Sequence, residues 1–332
     1  MKLLAIDTQS AIPKYRQIVL SVEKAIADER LSRNDRLPSV NKVSLEFGIS
    51  RDTVLLAYEE LKKRGIIYAI LGKGYYVKSV EISFKQRVFL LFDELNAFKE
   101  QTYNAFMEYM DGQAQVDIFF HHFNGGMFKK LISESNGNYS KYIIMPTNLP
   151  NAAAVIKTLP MGDVFILDQT NVALQEYPSV YQDFANDMYG GLEKAKDLLE
   201  KYRRMVLIFP GNKEPTGMVE GFSTFCTRFD FPHEVVSDFR NELMVEGTVF
   251  VIPSDVHLVA VIVEAKRREL TIGKDIGIIS YNDIPLKTVV GNGITTISTD
   301  FSEMGRTLAR MVLGNKKMWV HNPSTLIRRS SL

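Results

Sequence analysis

From residue 88 onward the chain repeats one short phrase: a run of four or five mostly apolar residues, a stretch long enough for a helix, then another run. The runs fall at 88–92, 116–120, 142–145, 164–167, 205–209, 249–252, 277–280 and 295–298. Most are continuous rather than alternating, the pattern of strands covered on both faces. Strands of that kind separated by helices predict parallel, doubly wound sheets, and the roughly 245 residues involved suffice for two such lobes. Neither a short internal repeat nor a low-complexity tract competes with this reading.

Residues 12–77 follow a different grammar. Tyr15, Ile18, Val19, Val22 and Ile26 recur at helical spacing after Pro13, a residue tolerated in a first helical turn. Ser39 is placed to cap a short second helix with Val40, Val43 and Phe47 on one side and Gly48 at its end. Ser50 is placed to cap a third, whose Val54, Ala57, Tyr58 and Leu61 form a buried stripe ended by Gly65. Two β-favouring runs, 66–71 and 75–77, then flank Gly72-Lys73-Gly74, a hairpin signal. Helix, turn, helix and hairpin in this order describe a winged helix-turn-helix.

That arrangement has a physical use. The start of a helix presents unpaired backbone N–H groups and the positive end of its dipole, which favour phosphate. Ser50, Arg51, Asp52 and Thr53 occupy the start of the third helix, and an arginine there can reach a guanine edge in a major groove. Lys73 and Gly74 lie at the wing tip, where a small backbone approaches DNA closely. Arg36 and Ser39 precede the second helix. A capping serine followed by arginine also occurs in many helices unconnected with DNA, so the ordered set matters more than any one member.

The set Pro13-Lys14-Tyr15, Arg36-Leu37-Pro38-Ser39, Phe47-Gly48-Ile49-Ser50-Arg51-Asp52-Thr53-Val54, Ala57-Tyr58-Glu59-Glu60-Leu61, Gly65 and Gly72-Lys73-Gly74-Tyr75-Tyr76-Val77 resembles the GntR-type winged helix. Two departures stand out. Val40 and Asn41 occupy positions where that family often has an acid–arginine pair, and Leu55 stands where a second arginine is frequent. The resemblance therefore implies a smaller or different base-reading set, drawn from Arg36, Ser39, Ser50, Arg51, Asp52, Thr53, Lys73 and Gly74.

Charge supports a divided chain. The whole carries a net +1, but residues 1–79 hold 14 Lys and Arg against nine Asp and Glu, leaving the remainder net acidic. Hydrophobic residues make up 45% and charged residues 24%, the balance of a folded soluble protein. No apolar run approaches the ~20 residues of a membrane helix, and Asp7 interrupts any signal-peptide core. A single cysteine, Cys226, excludes internal disulfides and a cysteine-based zinc site. A cytoplasmic location is expected.

In open α/β sheets ligands lie beyond the carboxyl ends of the strands. Asp93, Asp168, Ser254-Asp255 and Asn282-Asp283 follow four of the runs. Such carboxylates, amides and hydroxyls suit a polyhydroxylated ligand; each could equally be a helix N-cap. The stretches Phe92-Asp93-Glu94-Leu95-Asn96-Ala97-Phe98, Glu220-Gly221-Phe222, Ile278-Ile279-Ser280-Tyr281-Asn282-Asp283-Ile284-Pro285-Leu286, Thr295-Thr296-Ile297, Glu303-Met304-Gly305 and Leu326-Ile327-Arg328-Arg329-Ser330 resemble LacI-type effector domains across residues 87–332. That resemblance implies a type I periplasmic-binding-protein-like domain with Phe98, Lys99, Asp168, Ser254, Asp255 and Asn282 facing the cleft, and with Phe184 and Asp187, near the crossing into the second lobe, also contributing to effector binding. Met218 stands where the family has a ligand-binding arginine, and Asn282 where it has the first acid of a pair. Lys99 replaces an aromatic residue; it either supplies the missing donor or turns to solvent.

The expected fold class is therefore an α+β winged helix-turn-helix (1–77), a linker (78–86) and an α/β two-lobed domain (87–332). Lobe one is expected over about 87–179 and 299–316, lobe two over about 180–298 and 317–332. His121 and His122, placed on a strand, would face opposite ways and could not share a metal; no catalytic motif, metal site or cofactor is expected. The implied function is a transcriptional repressor, a homodimer on a palindromic operator. Its effector is expected to be a monosaccharide, a pentose or 6-deoxyhexose such as arabinose or fucose. The alternatives are a regulator sensing a nucleobase or phosphorylated metabolite, or an enzyme domain on a DNA-binding head.

Overall fold

The computed structural model describes residues 3–7, 10, 12–80, 86–211 and 213–332. Of the expected linker, residues 81–85 lie outside the described residues.

Three helices open the chain: α1 (Lys14–Ala27), α2 (Val40–Phe47) and α3 (Arg51–Lys63). Ser39 and Ser50 cap the second and third, each accepting a backbone N–H at 3.2 Å. Gly48 ends α2 in the left-handed region, φ 62°. Strands β1 (Ile67–Ile70) and β2 (Gly74–Val77) form the antiparallel hairpin. Val19, Val22, Val54, Ala57, Tyr58 and Leu61 are buried together, and the Tyr58 hydroxyl donates to the Pro38 carbonyl at 2.7 Å.

The first lobe follows with β3 (Gln86–Phe92), α4 (Ala97–Met110), β4 (Ala114–Phe120), α5 (Gly125–Ser135), β5 (Lys141–Ile144), α6 (Ala152–Ile156), β6 (Val164–Asp168) and β7 (Ser179–Tyr181). The second contains α7 (Phe184–Lys194), α8 (Lys196–Leu199), β8 (Arg204–Ile208), α9 (Gly217–Arg228), β9 (His233–Val236), β10 (Thr248–Ile252), α10 (Asp255–Arg267), β11 (Gly277–Tyr281) and β12 (Thr295–Thr299). The chain then returns to lobe one through α11 (Phe301–Leu313) and β13 (Trp319–His321), and ends in lobe two with β14 (Ser324–Ile327). Sheet one runs β13-β7-β6-β5-β3-β4, all parallel; sheet two runs β14-β12-β11-β10-β8-β9, parallel except at β14. Each sheet is covered on both faces, as continuous apolar runs require.

The lobe boundaries differ from those read in the sequence. Val180, Tyr181 and Trp319–His321 belong to sheet one, because two three-residue strands pair there with each other and with β6. The crossings fall after Tyr181, Thr299 and His321. His121 and His122 are also off the expected strand: β4 stops at Phe120, and His121 is buried with Nε2 3.1 Å from the Met145 carbonyl. Among the described residues no helix is long and apolar enough to cross a membrane.

One glycine in each lobe lets two helices touch backbone to backbone. A Cβ at Gly221 in α9 would lie 2.2 Å from the Ala185 carbonyl oxygen of α7, and one at Gly305 in α11 would lie 2.2 Å from that of Thr102 in α4. Both obstacles are main chain, which cannot rotate aside. Gly305→Ala is therefore expected to destabilise the domain by about 1–3 kcal/mol through forced helix separation, read as a lower urea midpoint; an unchanged midpoint would show that α11 slides freely.

Candidate functional site

In the N-terminal domain the structure leaves Arg51 and Asp52 exposed at the first turn of α3. The Ser50 and Thr53 hydroxyls lie 2.8 Å apart, so the cap is a closed local pair. Arg36 bridges to Tyr76 of the wing, and its guanidinium lies near Gly74. The wing turn is closed by the Lys73 N–H donating to the Ile70 carbonyl at 2.9 Å, with Lys73 exposed. Leu71, which the sequence reading did not single out, is fully exposed beside it.

Between the lobes lies a cavity of about 300 Å³. Lobe one contributes Asp93, Phe98, Lys99, Asp168 and Gln182; beyond the crossing come Phe184, Met218, Ser254, Asp255, Tyr281 and Asn282. The strand ends of β3, β6, β10 and β11 supply most of these, as expected for parallel sheets.

Lys99 does not turn to solvent. Asn96 caps α4 by accepting the Lys99 N–H at 3.1 Å, which sets the first turn with the lysine side chain directed inward. Its ammonium lies 3.3 Å from Asp168 Oδ2 and 3.5 Å from Asp93 Oδ2, and donates to Met145 Sδ at 3.0 Å. Burial works to lower the lysine's pKa, but the two carboxylates outweigh it and hold the ammonium above its ordinary value. Burial in turn pushes the Asp93 carboxyl up, against the pull of Lys99. The Gln182 amide donates to Asp168 Oδ1 at 2.5 Å, while Gln182 Oε1 and Asn282 Oδ1 are buried atoms without a hydrogen-bond partner among the described residues.

Three residues lining the cavity hold backbone conformations uncommon for side chains with a Cβ: Phe123 at φ 56°, Asp168 at φ 70° and Asn282 at φ 59°. Apolar surface comes from Phe98, stacked 5.1 Å from Phe301, from Phe184, 6.3 Å from Tyr281, and from Met218, buried against the lobe-two core. Ser254 occupies the N-cap position of α10 without its side chain capping, which leaves the hydroxyl to the cleft. At the mouth, Lys213 Nζ pairs with Glu94 Oε2 across the lobes at 2.6 Å and sits 5.0 Å over the Phe123 ring.

One expected cleft residue lies elsewhere. Asp187 is buried at the crossing, where Oδ1 accepts the Ser324 N–H at 3.0 Å and lies 3.4 Å from His321 Nε2. One helical turn beyond Phe184, it faces the returning strand β14 instead of the cavity. Lining residues outside the expected effector-binding set include Asp93, Gln182 and Tyr281, with Glu94, Phe123, Lys213, Glu214 and Phe301 toward the mouth and rim. Asp93 carried the strand-end signal; Gln182 follows a strand too short to read.

The Lys99 cluster sets a pH prediction. Lys99→Met leaves two buried carboxylates facing each other, a loss of about 3–5 kcal/mol when one partner of a buried pair is removed. Carboxyls raised in the folded state bind more protons folded than unfolded, so stability falls as pH rises. The variant's thermal midpoint should therefore drop more at pH 8 than at pH 5; a pH-independent loss would show that packing alone is involved.

Residues 14–77 match the gntR family of bacterial regulatory proteins, and residues 199–332 match the periplasmic binding protein-like domain. The mannosyl-D-glycerate transport/metabolism system repressor MngR of Escherichia coli (strain K12) is 37% identical over 82 residues, 25% of this chain and 34% of that protein. An uncharacterized HTH-type transcriptional regulator, YcxD of Bacillus subtilis (strain 168), is 34% identical over 64 residues, 19% of this chain. The match spans only 14% of YcxD's length. The arabinose metabolism transcriptional repressor of Geobacillus stearothermophilus is 20% identical across 92% of both chains. Among solved structures, the lac repressor dimer bound to operator and an anti-inducer superposes with a TM-score of 0.61 at 19% identity, covering 74% of this chain and 94% of that one. The chain thus joins a winged helix that matches the gntR family over residues 14–77 to a two-lobed domain with the periplasmic-binding-protein-like fold seen in the lac repressor.

Proposed function

We propose that the protein is a DNA-binding transcriptional repressor of sugar metabolism whose operator affinity is set by a neutral monosaccharide held between the lobes. The observation that carries this is a half-open cleft lined by both polar and apolar side chains, at the strand ends of two lobes, in the same chain as a winged helix with an exposed recognition-helix start. Similarity to the arabinose repressor and to the ribose operon repressor of Lactococcus lactis (26% identical over 200 residues) supports a sugar. A cavity of about 300 Å³ is at the small end of ligand sites and suits one sugar ring. A pentose or 6-deoxyhexose such as arabinose or fucose is the proposed effector.

The cleft chemistry favours a neutral ligand over a phosphorylated one. Lys99 is already held by two carboxylates, Lys213 by Glu94, and Met218 offers no charge. Asp93, Asp168, Glu214 and Asp255 line the same space, giving an anionic wall. Carboxylates, the Gln182 and Asn282 amides and the Ser254 hydroxyl can share bonds with adjacent sugar hydroxyls, while Phe98 and Phe184 cover the C–H face. Asp187 acts instead in the crossing.

The homodimer is proposed to form through α10. Val256, Val259 and Val263 lie exposed at helical spacing, with Leu286 and Val289 exposed as well. Asp255 begins this helix and Lys266 and Arg267 end it, so antiparallel pairing about a two-fold axis would oppose unlike charges. Lobe closure would then change the separation of two heads and release the operator, with a coupling of ~1–3 kcal/mol.

Thermal shift across L-arabinose, L-fucose, D-ribose, sugar phosphates and nucleobases tests the effector class. Stabilisation by free sugars alone is expected; a shift confined to phosphates would overturn the neutral-ligand reading. On DNA, Arg51→Ala should cost about 1–3 kcal/mol of specific affinity by loss of a base contact, measured by fluorescence anisotropy. Equal weakening on operator and random DNA would move Arg51 to a phosphate-only role.

A further inference from the structure

Lys287 stands behind the cleft wall. It lies in a single 3-10 turn, Pro285–Thr288, and is 2% exposed. Its ammonium donates to the carbonyls of Tyr281 at 2.9 Å and Asn282 at 2.8 Å, and lies 2.9 Å from Asp255 Oδ1. An ammonium has three protons, and here three oxygens take them. All three belong to residues that line the cavity.

The arrangement explains how the wall keeps its shape. Asn282 sits in the left-handed region, where the turn reverses direction. Lys287 grips the two carbonyls of this turn from one side. From the other, the Arg329 guanidinium holds the adjacent Asp283 with two bonds of 2.7 Å. Asp255, Asp283 and Arg329 are the charged groups around the Lys287 ammonium. Burial pushes its pKa down, against the pull of Asp255.

The neighbours of this ion pair reach the outer surface. Asp255 precedes Val256 in α10, and Leu286 precedes Lys287; Val256 is 78% and Leu286 61% exposed. One buried ammonium therefore ties the turn at 281–282 to the start of the helix whose outer face is apolar.

We propose that Lys287 is a positioning residue with two effects: it sets the Asp255–Asn282 wall that binds the polyhydroxylated effector, and it links occupancy of that wall to the apolar α10 face where a second copy docks. This rests on the effector and dimer readings above. Movement of the 281–282 turn on a ligand must pull on Asp255, because both hang on one short cation.

Lys287→Met keeps the stem and removes the donors; Lys287→Arg keeps the charge. The sugars L-arabinose, L-fucose and D-ribose are titrated calorimetrically into each protein. Dimer dissociation is measured by sedimentation with and without sugar. Expected for Lys287→Met is at least tenfold weaker binding of whichever sugar the unaltered protein takes, and loss of the sugar-dependent change in dimer affinity, both recovered in large part by arginine. A folded Lys287→Met protein with unchanged affinity and unchanged sugar-dependent dimerisation overturns the proposal.

Should the methionine variant fail to fold, Asp255→Asn removes the ion pair, and with it one cleft carboxylate, while leaving the two carbonyl bonds of Lys287; at sugar concentrations that saturate the variant it should also abolish the sugar-dependent change, and retention overturns the link. If the unaltered protein binds none of the sugars, the effector reading fails, and amide exchange then decides the Lys287 link. Protection must fall together at 281–289 and 255–259 in Lys287→Met, or in Asp255→Asn if that protein does not fold. Loss at one segment only, or at neither, overturns it.

Discussion

A buried ammonium must be surrounded by oxygen, and each wall of the cleft is organised around one. In lobe one Lys99 draws Asp93, after β3, toward Asp168, at the end of β6. In lobe two Lys287 draws the carbonyls after β11 toward Asp255 at the start of α10. Desolvation of a charge is costly enough that neither lysine can leave its partners without a replacement. The strand ends consequently stay at fixed separations across several loops. Carboxylates and amides that would otherwise fold back as helix caps remain directed at the cavity.

The two walls are joined by three crossings, which brace one another. The Asn322 amide donates to Thr299 Oγ1 at 2.6 Å and to the Asp300 carbonyl at 3.0 Å, linking the second and third crossings. Asp187, just past the first, accepts the Ser324 N–H just past the third. Bending all three in concert preserves these bonds, whereas bending one breaks them. Lobe motion should therefore be a hinge with few intermediate positions, the property a switch requires.

Much of this was legible in the sequence, and for identifiable reasons. Continuous apolar runs identify strands buried on two faces, and Ser39 and Ser50 mark their helices because a capping hydroxyl has few substitutes. Cleft residues at strand ends were legible for the same reason. The short strands β7 and β13 were not, since three residues such as Ser179-Val180-Tyr181 carry no period, and their omission misplaced the lobe boundaries. Asp187 was misassigned because a helix turns its faces every few residues and the strand opposite it comes from 137 positions later. Lys99 left two readings open, and only the convergence of Asp93 and Asp168 decides between them. Nothing in Pro285-Leu286-Lys287 marks the lysine; its burial depends on packing that no local pattern records.

How a cleft event reaches DNA depends on where the head is attached. Pro13, at the start of α1, packs against Gly137 in the loop after α5, so the head rests on lobe one. A cavity there is lined by Arg16, Glu23 and Arg64 from the head and by Arg87 at the start of β3; Arg64 pairs with the buried Glu23. The opposite end of β3 leads into Asp93 in the effector cleft. Asp93 lies six positions along the chain from Arg87, or about 20 Å. A parallel sheet packed on both faces does not deform locally over that distance, so no signal travels along it as a change of shape. In the proposed switch, lobe one and its head move as a unit as the lobes rotate about the crossings. With lobe two held to a partner through α10, as proposed above, that rotation becomes a change in the distance between two recognition helices, the quantity that operator half-site spacing reads.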